Sequence, residues 1–390
     1  MEKKVVWSCG WGVILTDYSK IGLKTQYYIQ KIRIKNNIRG NLLRIQFSHK
    51  YGEKASLFQK VSLSINDRKE IPVTQNGEKL IKSEAYCISY SDEIPVKVEP
   101  ADIITIEAVV AEQTYVTDAA LIPNTELLQI ESKGELICEK DDEYKKEFYS
   151  IPDEFQWLIG ISGIEVITEE SVPMIAFFGD SLIQIPYWIS PLMSKAFQQK
   201  PGQLTYKNGG ISGNRLLSGT VEFEKEIGSI NGVAGIRRME QDIFSGPIPE
   251  WVVILEGIND IIFPFQYGKL RELPKSEDII EGLKQCATLC RKYNSKPIIC
   301  TLLPFQGHNC WNGISEKLRQ EINQWIRKQR EIVYLDTDDY AADSENQRCL
   351  KAQWKAADGI HLKSLGGKAL AEEILKTKVM KLILDSQDAY

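Results

Sequence analysis

The sequence has few histidines and no closely paired cysteines. Only three histidines, His49, His308 and His361, occur among its 390 residues, and its eight cysteines include no Cys-x-x-Cys pair. Structural zinc sites combine cysteines and histidines at short, regular spacings. We therefore predict no metal site, and nothing else in the sequence calls for a cofactor. Scattered cysteines of this kind are typical of small buried apolar residues in a reducing compartment.

The sequence also lacks a long hydrophobic run. No apolar stretch approaches the length that crosses a bilayer, and residues 1–11 lack the apolar core of a secretory signal. The formal net charge is -5, and the basic residues form no positive stripe, which disfavours a nucleic-acid partner. We expect a cytoplasmic protein with no membrane partner and no nucleic-acid partner. The sequence leaves its oligomeric state open.

Three widespread functional motifs are missing. The sequence contains no Gly-x-Ser-x-Gly, no Gly-x-Gly-x-x-Gly and no Gly-x-x-x-x-Gly-Lys-Ser/Thr. The first motif carries the nucleophile of ordinary α/β-hydrolases, and the other two bind dinucleotides and nucleoside triphosphates. Their absence disfavours these three classes of protein.

Two patterns of hydrophobicity divide the chain. In residues 1–170, short runs alternate between apolar and polar residues, as in 31–35 and 61–65, which predicts an antiparallel β-sandwich or jelly-roll-like domain. In residues 171–390, apolar strand-like runs alternate with amphipathic helical ones, which predicts a parallel sheet with helices on both faces. In this second domain we expect strands near 174–178, 204–207, 251–255, 297–302 and 332–335, and helices near 187–198, 233–244, 276–293, 314–328 and 364–378.

Residues 174–181 begin with an apolar run that predicts a central strand, and they end with Gly-Asp-Ser. Ligands and reacting groups collect at the carboxyl edge of such sheets, so Ser181 is the candidate nucleophile. A serine hydroxyl is a weak nucleophile until a base accepts its proton. His361 follows Asp358 and Gly359, and a bend at the glycine can turn the carboxylate onto one ring nitrogen and leave the other for the serine. These residues predict a Ser-His-Asp triad.

Two further polar loops follow predicted strands. Residues 208–215, Asn-Gly-Gly-Ile-Ser-Gly-Asn-Arg, contain glycines whose backbone N–H groups can approach a ligand closely. Residues 255–260 contain Asn259, which can offer a side-chain N–H donor. Acyl transfer needs donors aimed at the developing oxyanion. Because each loop follows a strand, we expect both loops at the same sheet edge as Ser181.

Together, the blocks Gly-Asp-Ser, Gly-Ile-Ser-Gly-Asn, Glu-Gly-Ile-Asn-Asp and Asp-Gly-Ile-His resemble those of the SGNH, or GDSL, hydrolases. The resemblance implies a flavodoxin-like three-layer α/β/α domain that hydrolyses carboxylic esters. It also implies an oxyanion hole made by the backbone N–H groups of Ser181 and Gly213 and the side chain of Asn259. Residues 213–217, Gly-Asn-Arg-Leu-Leu, and residues 255–261, Leu-Glu-Gly-Ile-Asn-Asp-Ile, resemble those of a subgroup with a β-rich N-terminal domain. Residues 184–188, Gln-Ile-Pro-Tyr-Trp, depart from the polar segment that many relatives carry there.

Aromatic and basic residues near these blocks are candidates for substrate binding. Trp188, Phe263, Phe265 and Trp311 can form an acyl or sugar wall, or they can pack beneath loops. Arg215 can recognise an anionic group, or it can form a structural salt bridge.

Three other polar residues are assigned neither to the triad nor to the oxyanion hole. His308 follows a strand and can line the pocket or remain a surface residue. Asp180 is expected to stabilise its loop, and His49, in the β-rich part, receives no function.

The predicted function is a serine esterase that works through an acyl-enzyme. The resemblance favours short acyl chains, and acetylated carbohydrates are the most attractive substrates. The substrate partner would then be a small-molecule or saccharide ester. Two alternatives remain: a non-catalytic carbohydrate-binding protein with a vestigial hydrolase domain, and an acyltransferase that uses an alcohol in place of water.

Overall fold

The computed structural model describes residues 5–139, 154–219 and 227–385. These residues divide into two compact units. The first unit contains the residues up to Val172 together with Lys200–Lys207, and the second contains Pro173–Gln199 and the residues from Asn208 onward. The expected division into domains 1–170 and 171–390 stays a prediction. The strand Thr205–Gly210, which is β16 in chain order, has residues in each unit.

The first unit is built from antiparallel strands. The strands are β1 Val6–Val13, β2 Thr16–Asp17, β3 Leu23–Lys35, β4 Gly40–His49, β5 Ser56–Ile65, β6 Ile71–Pro72, β7 Ile81–Ser83, β8 Cys87–Tyr90, β9 Ile94–Val98, β10 Ile103–Val110, β11 Asp118–Pro123, β12 Leu128–Cys138, β13 Phe155–Ile159 and β14 Ile161–Thr168. Within this unit, one group of strands pairs in the order β1-β14-β4-β8 with β9 beside β4, a second sheet has the order β12-β3-β10-β5-β6 with β7 beside β5, and a small third sheet has the order β13-β11-β2.

Period-two alternation explains the core of this unit. On β3, Ile32 and Ile34 are buried while Lys31 and Arg33 keep partial exposure, because successive side chains of a strand point to opposite faces. The buried faces of two sheets meet where the rings of Phe47 on β4 and Phe58 on β5 lie 5.4 Å apart. The antiparallel β-sandwich expected from the sequence is confirmed.

The second unit contains a parallel sheet. Its strands β15 Met174–Gly179, β17 Trp251–Leu255, β18 Lys296–Cys300 and β19 Val333–Leu335 pair in parallel in the order β19-β18-β17-β15. The helices are α1 Ser181–Gln184, α2 Ile189–Gln199, α3 Gly235–Phe244, α4 Ile258–Gln266, α5 Ser276–Lys292, α6 Gly313–Arg327, α7 Thr337–Ala341, α8 Ser364–Leu375 and α9 Lys378–Asp385, with two short 3₁₀ turns at Ile227–Asn231 and Leu270–Glu272.

Helices cover this sheet in two groups. The strands β15 and β17 are buried along their whole length, as in parallel sheets with both faces covered. Helix α2 packs against α8, whereas α5 packs against α3 and α6. This arrangement is the three-layer α/β/α fold predicted from the sequence, which is confirmed. Within the described ranges, no helix is both long enough and apolar enough to cross a membrane.

The structure corrects two predicted elements of the second unit. The segment after Leu255, predicted as a loop, becomes helix α4 after two residues, because Gly257 adopts φ 116° and turns the chain directly from strand to helix. The helix predicted at 364–378 ends at Leu375, and a separate helix, α9, follows it.

Candidate active site

Ser181 is the first residue of helix α1, and one residue, Asp180, separates it from the end of strand β15. Asp180 is the N-cap, and its carboxylate accepts a hydrogen bond from the backbone N–H of Leu182 at 2.9 Å. A side chain at Gly179 would place its Cβ 2.0 Å from the carbonyl oxygen of Leu255. The glycine is therefore required for the close approach of β15 and β17, and the strand delivers the serine to the carboxyl edge of the sheet.

Ser181, His361 and Asp358 form a continuous hydrogen-bonded chain. The Oγ of Ser181 lies 2.7 Å from Nε2 of His361, and Nδ1 of His361 lies 2.7 Å from Oδ2 of Asp358. The other oxygen of Asp358 accepts the backbone N–H groups of Ile360 and His361, each at 3.0 Å. In this arrangement the imidazole can take the serine proton while the carboxylate holds the opposite nitrogen.

Partial burial and hydrogen bonding have opposite effects on the pKa of Asp358. Burial by itself would raise the pKa of Asp358, but the hydrogen bonds and the charge of His361 outweigh it and hold this pKa well below its usual range. The carboxylate is therefore ionised at neutral pH.

A tight turn at Gly359 sets the geometry of the Asp358–His361 pair. Gly359 has φ 80°, and a Cβ there would lie 2.6 Å from the carbonyl carbon of Gly307 and 2.7 Å from the backbone nitrogen of His308. The structure thus places His308 beside the Asp358–His361 loop. Burial and the charge of His361 lower the pKa of His308, against the opposing effect of Asp358.

The loop that carries Gly213 is attached to the Ser181 loop. The N–H of Ile211 donates to the carbonyl of Gly179 at 2.9 Å. Gly213 itself has φ 73°, and a Cβ there would lie 2.5 Å from Oδ1 of Asn231. A glycine at this position therefore satisfies both the backbone conformation and the limited space.

Asn259 is buried in the first turn of helix α4. Its Nδ2 donates a hydrogen bond to the backbone carbonyl of Asn214 at 2.9 Å, which connects the third block to the residue after Gly213. An asparagine amide has two N–H groups, so this bond leaves a second donor for a ligand.

Gln184 is a supporting residue that the sequence analysis missed. It lies in the segment that departs from the family pattern, and its buried side chain accepts the backbone N–H of Ser212. Nearby, the side chain of Asn208 donates to the carbonyl of Ile183 at 2.8 Å. The departing segment therefore joins the Gly213 loop to helix α1. A single glutamine after the serine carried no signal of this role.

A small cavity lies at Ser181. Its volume is about 10 Å³, and its lining is Ser181, Leu182, Ile185, Tyr187, Trp188, His361 and Leu362. Space of this size accommodates about one water-sized group, and most of the lining is apolar.

Trp188 closes this cavity from inside the protein. Its side chain is 1% exposed, its Nε1 donates to the carbonyl of Leu182 at 2.7 Å, and its ring packs edge-on against Phe177. Most of the Trp188 side chain is therefore packed against other protein groups, and the remainder lines the cavity.

The other substrate-binding candidates lie outside the lining of this cavity. Arg215 is buried, and its Nε lies 3.9 Å from the Asp260 carboxyl group. Phe263 is buried against Tyr267, because helix α4 turns it into the protein. Trp311 donates through Nε1 to Glu316 at 3.2 Å. Phe265, two residues further along α4, is partly exposed.

Three buried carboxyl groups lie beneath the strand ends. Burial raises the pKa of Asp180 to about 7 and that of Asp260 to about 6. Burial, together with the charge of Asp180, raises the pKa of Glu256 well above its usual range. Desolvation disfavours the charged form of a carboxyl group, which explains the common direction.

No cluster of three or more His, Cys, Asp or Glu side chains able to hold a metal ion occurs in residues 5–139, 154–219 and 227–385. All eight cysteines are free, and five of them, Cys9, Cys286, Cys290, Cys300 and Cys310, have pKa values raised by burial.

Comparison with solved structures finds several hydrolases. A GDSL-like lipase from Bacteroides thetaiotaomicron matches at 17% identity and a TM-score of 0.38, over 55% of this chain and 88% of the other. A catalytic mutant of an acetylxylan esterase from Geobacillus stearothermophilus matches at 19% identity and a TM-score of 0.40, over 52% and 93%. A carbohydrate acetylesterase from Sinorhizobium meliloti matches at 15% identity and a TM-score of 0.41, over 54% and 99%. No curated protein matches the chain significantly.

The part of the chain that matches a family model contains the candidate active site. Residues 177–369 match the model of the GDSL-like Lipase/Acylhydrolase family. This range contains the Ser181, Gly213, Asn259 and His361 blocks on which the resemblance was based. The C-terminal part of this chain is therefore a GDSL-like lipase/acylhydrolase domain, the domain of a carboxylic ester hydrolase.

Proposed function

We propose that the protein is a serine esterase that works through a covalent acyl-enzyme on Ser181. The observation that carries the proposal is the hydrogen-bonded chain from Ser181 Oγ through His361 to Asp358, with 2.7 Å at each step. We assign this chemistry to residues 171–390 and an accessory role to the β-rich residues 1–170.

In the first half of the reaction, Ser181 Oγ attacks the ester carbonyl and His361 Nε2 takes its proton. Asp358 holds the opposite ring nitrogen and stabilises the imidazolium. The backbone N–H groups of Ser181 and Gly213 and the Asn259 amide donate to the oxyanion. The tetrahedral intermediate collapses, the alcohol leaves with the proton from His361, and the acyl group remains esterified to Ser181.

In the second half, water attacks the acyl-enzyme and gives its proton to His361 Nε2. Collapse of the second tetrahedral intermediate returns that proton to Ser181 Oγ and releases the carboxylic acid. Since Asp358 and His361 retain 45% and 31% side-chain exposure, water has access to this site.

The size of the cavity at Ser181 supports a short acyl group. Its volume of about 10 Å³ and its apolar lining suit a methyl group better than a long chain. The alcohol part of the ester stays a prediction from the sequence, with acetylated carbohydrates as the first class to examine.

Ester hydrolysis by Ser181→Ala tests the mechanism. With p-nitrophenyl acetate we expect loss of nearly all activity, whereas Ser190→Ala, a buried serine on the following helix, serves as the matched control and stays active. In the wild type, mass spectrometry of the quenched reaction should detect an acetyl group on the peptide that contains Ser181. Equal rates in Ser181→Ala and wild type would refute the mechanism.

A substrate panel tests the acyl preference. We expect kcat/KM to fall from acetyl to butyryl to octanoyl p-nitrophenyl esters, and acetate release from acetylated oligosaccharides to depend on Ser181. Adding alcohol acceptors and analysing the products separates hydrolysis from acyl transfer.

A further inference from the structure

A single buried guanidinium, that of Arg238, joins the ends of the strands that carry the site. Arg238 lies on helix α3 and is 4% exposed. Its NH2 group donates to the carbonyl of Gly179 at 2.8 Å, two residues before Ser181, and its NH1 group donates to the carbonyl of Gly209 at 2.9 Å, four residues before Gly213.

The third nitrogen of Arg238 reaches the oxyanion loops more directly. Its Nε donates to Oδ1 of Asn214 at 2.7 Å. The Asn214 side chain in turn donates to the carbonyls of Asn231 and Val233, and its own carbonyl accepts the Asn259 amide. Asn214 directly follows Gly213 in the chain. Its position therefore affects both the backbone at Gly213 and one hydrogen bond of Asn259.

The surroundings of Arg238 keep its charge in place without a surface contact. The carboxylate of Asp242 and the carboxyl group of Glu256 lie 3.2 and 3.7 Å from the guanidinium, and the ring of Phe178 lies 4.2 Å from its central carbon. A buried cation of this kind is retained only when charges and hydrogen bonds compensate it. The planar fork of arginine can serve several acceptors in fixed directions, which lysine cannot do.

We propose that Arg238 is a positioning residue for the oxyanion hole, which holds the loops of Ser181, Gly213 and Asn259 at fixed distances from one another. The proposal rests on the esterase function proposed above. Arg238 does not touch the substrate, and it acts through Asn214 and the strand-end carbonyls. Its loss displaces the donors that meet the oxyanion, while the Ser181–His361–Asp358 chain keeps its own contacts.

The test compares Arg238→Lys with Arg237→Lys. Arg237 is exposed on the same helix, so its replacement controls for the helix and the charge. For Arg238→Lys we expect kcat with p-nitrophenyl acetate to fall about 10- to 100-fold per folded molecule while KM changes less than about twofold, since a small displacement of catalytic groups has effects of this size. We also expect a boronic acid, which forms a tetrahedral adduct with the serine, to bind more weakly by a similar factor.

A purely structural role would lower the thermal stability of Arg238→Lys but leave kcat per folded molecule unchanged, and that result would overturn the proposal. If Arg238→Lys does not fold, Asn214→Ser is the second test. This variant removes the hydrogen bond between Arg238 and the Gly213 loop, and it should show the same fall in kcat. Failure of both variants to fold would also overturn the proposal.

Ser181→Ala in the same series separates the two proposals. If it retains hydrolysis, the proposed esterase mechanism fails. If it is inactive and Arg238→Lys matches the wild type, only the role of Arg238 fails.

Discussion

Two regions meet at Ser181, and they are stabilised in different ways. The Asp358–His361 loop is a local turn of four residues that stays partly exposed and is held by its own backbone N–H groups. The region of Asn214, Asn259 and Arg238 is buried, and its hydrogen bonds join residues up to 59 positions apart. The base and acid can therefore form from one short segment, whereas the proposed oxyanion donors depend on the packing of several elements.

The largest effect we predict comes from the exposed region. Asp358→Asn keeps the shape of the side chain but removes the charge that holds His361, so we expect kcat to fall about 10³- to 10⁴-fold. The circular dichroism spectrum should remain that of the wild type. Asp339→Asn, at an exposed aspartate, is the matched control. A loss of less than about tenfold would show that Asp358 does not support the base.

A smaller effect is predicted for the buried region. Asn259→Ala removes one proposed oxyanion donor, and the expected loss is about 10²- to 10³-fold in kcat. Steady-state kinetics should show KM almost unchanged, because the donor acts mainly in the transition state. If KM rises and kcat stays constant, Asn259 binds substrate in the ground state and the oxyanion assignment is wrong.

The comparison also predicts a dependence of stability on pH. Burial raises the pKa of Asp180 to about 7, above the usual value of about 3.9 that we take for the unfolded chain. Between about pH 4 and 7 the folded protein binds more protons than the unfolded chain, so stability falls as pH rises. The contribution of Asp180 is at most about 1.4 kcal/mol for each pH unit in that window.

Thermal melts of Asp180→Asn across pH 5 to 8 check this contribution. The asparagine can still cap helix α1 through its side-chain oxygen, but it does not titrate. We expect the variant to lose less stability than the wild type as pH rises. Identical pH profiles would place the titration elsewhere.

The smallest effect is predicted for the turn of the exposed region. Gly359→Ala requires an alanine at φ 80° and against the backbone of Gly307 and His308, so we expect a loss of at least about 1–2 kcal/mol in the free energy of unfolding. Gly313→Ala is the control, because a Cβ there meets nothing within 4 Å. Denaturant titration of both variants measures the difference. Equal stability would mean that the turn relaxes without strain.

Much of the fold could be predicted from hydrophobic periodicity. The alternation in β3 and the apolar run of β17 predicted their strands, because both patterns report burial on one or two faces. Helix α4 was missed because it contains Pro264 and begins two residues after a strand, where the sequence resembles a loop.

The candidate site was predicted unevenly. Ser181, Asp358 and His361 were selected from block order and spacing, and the structure places them within hydrogen-bonding distance of one another. The aromatic candidates were selected by proximity in sequence, and Phe263 turned inward because its position in helix α4 faces the core. Proximity in sequence says little about the direction of a side chain until the helix is known.

The sequence by itself determined the two hydrophobic patterns, the order of the four blocks and the turn that pairs Asp358 with His361, because these features depend on residues near one another in the chain. Only the tertiary structure decided that Gln184 supports Ser212 and that Arg238 reaches Gly179, Gly209 and Asn214. Those contacts join distant segments inside the protein, where each buried donor and acceptor needs a partner. Which partner it finds is set by how the strands and helices pack, and no local pattern records that choice.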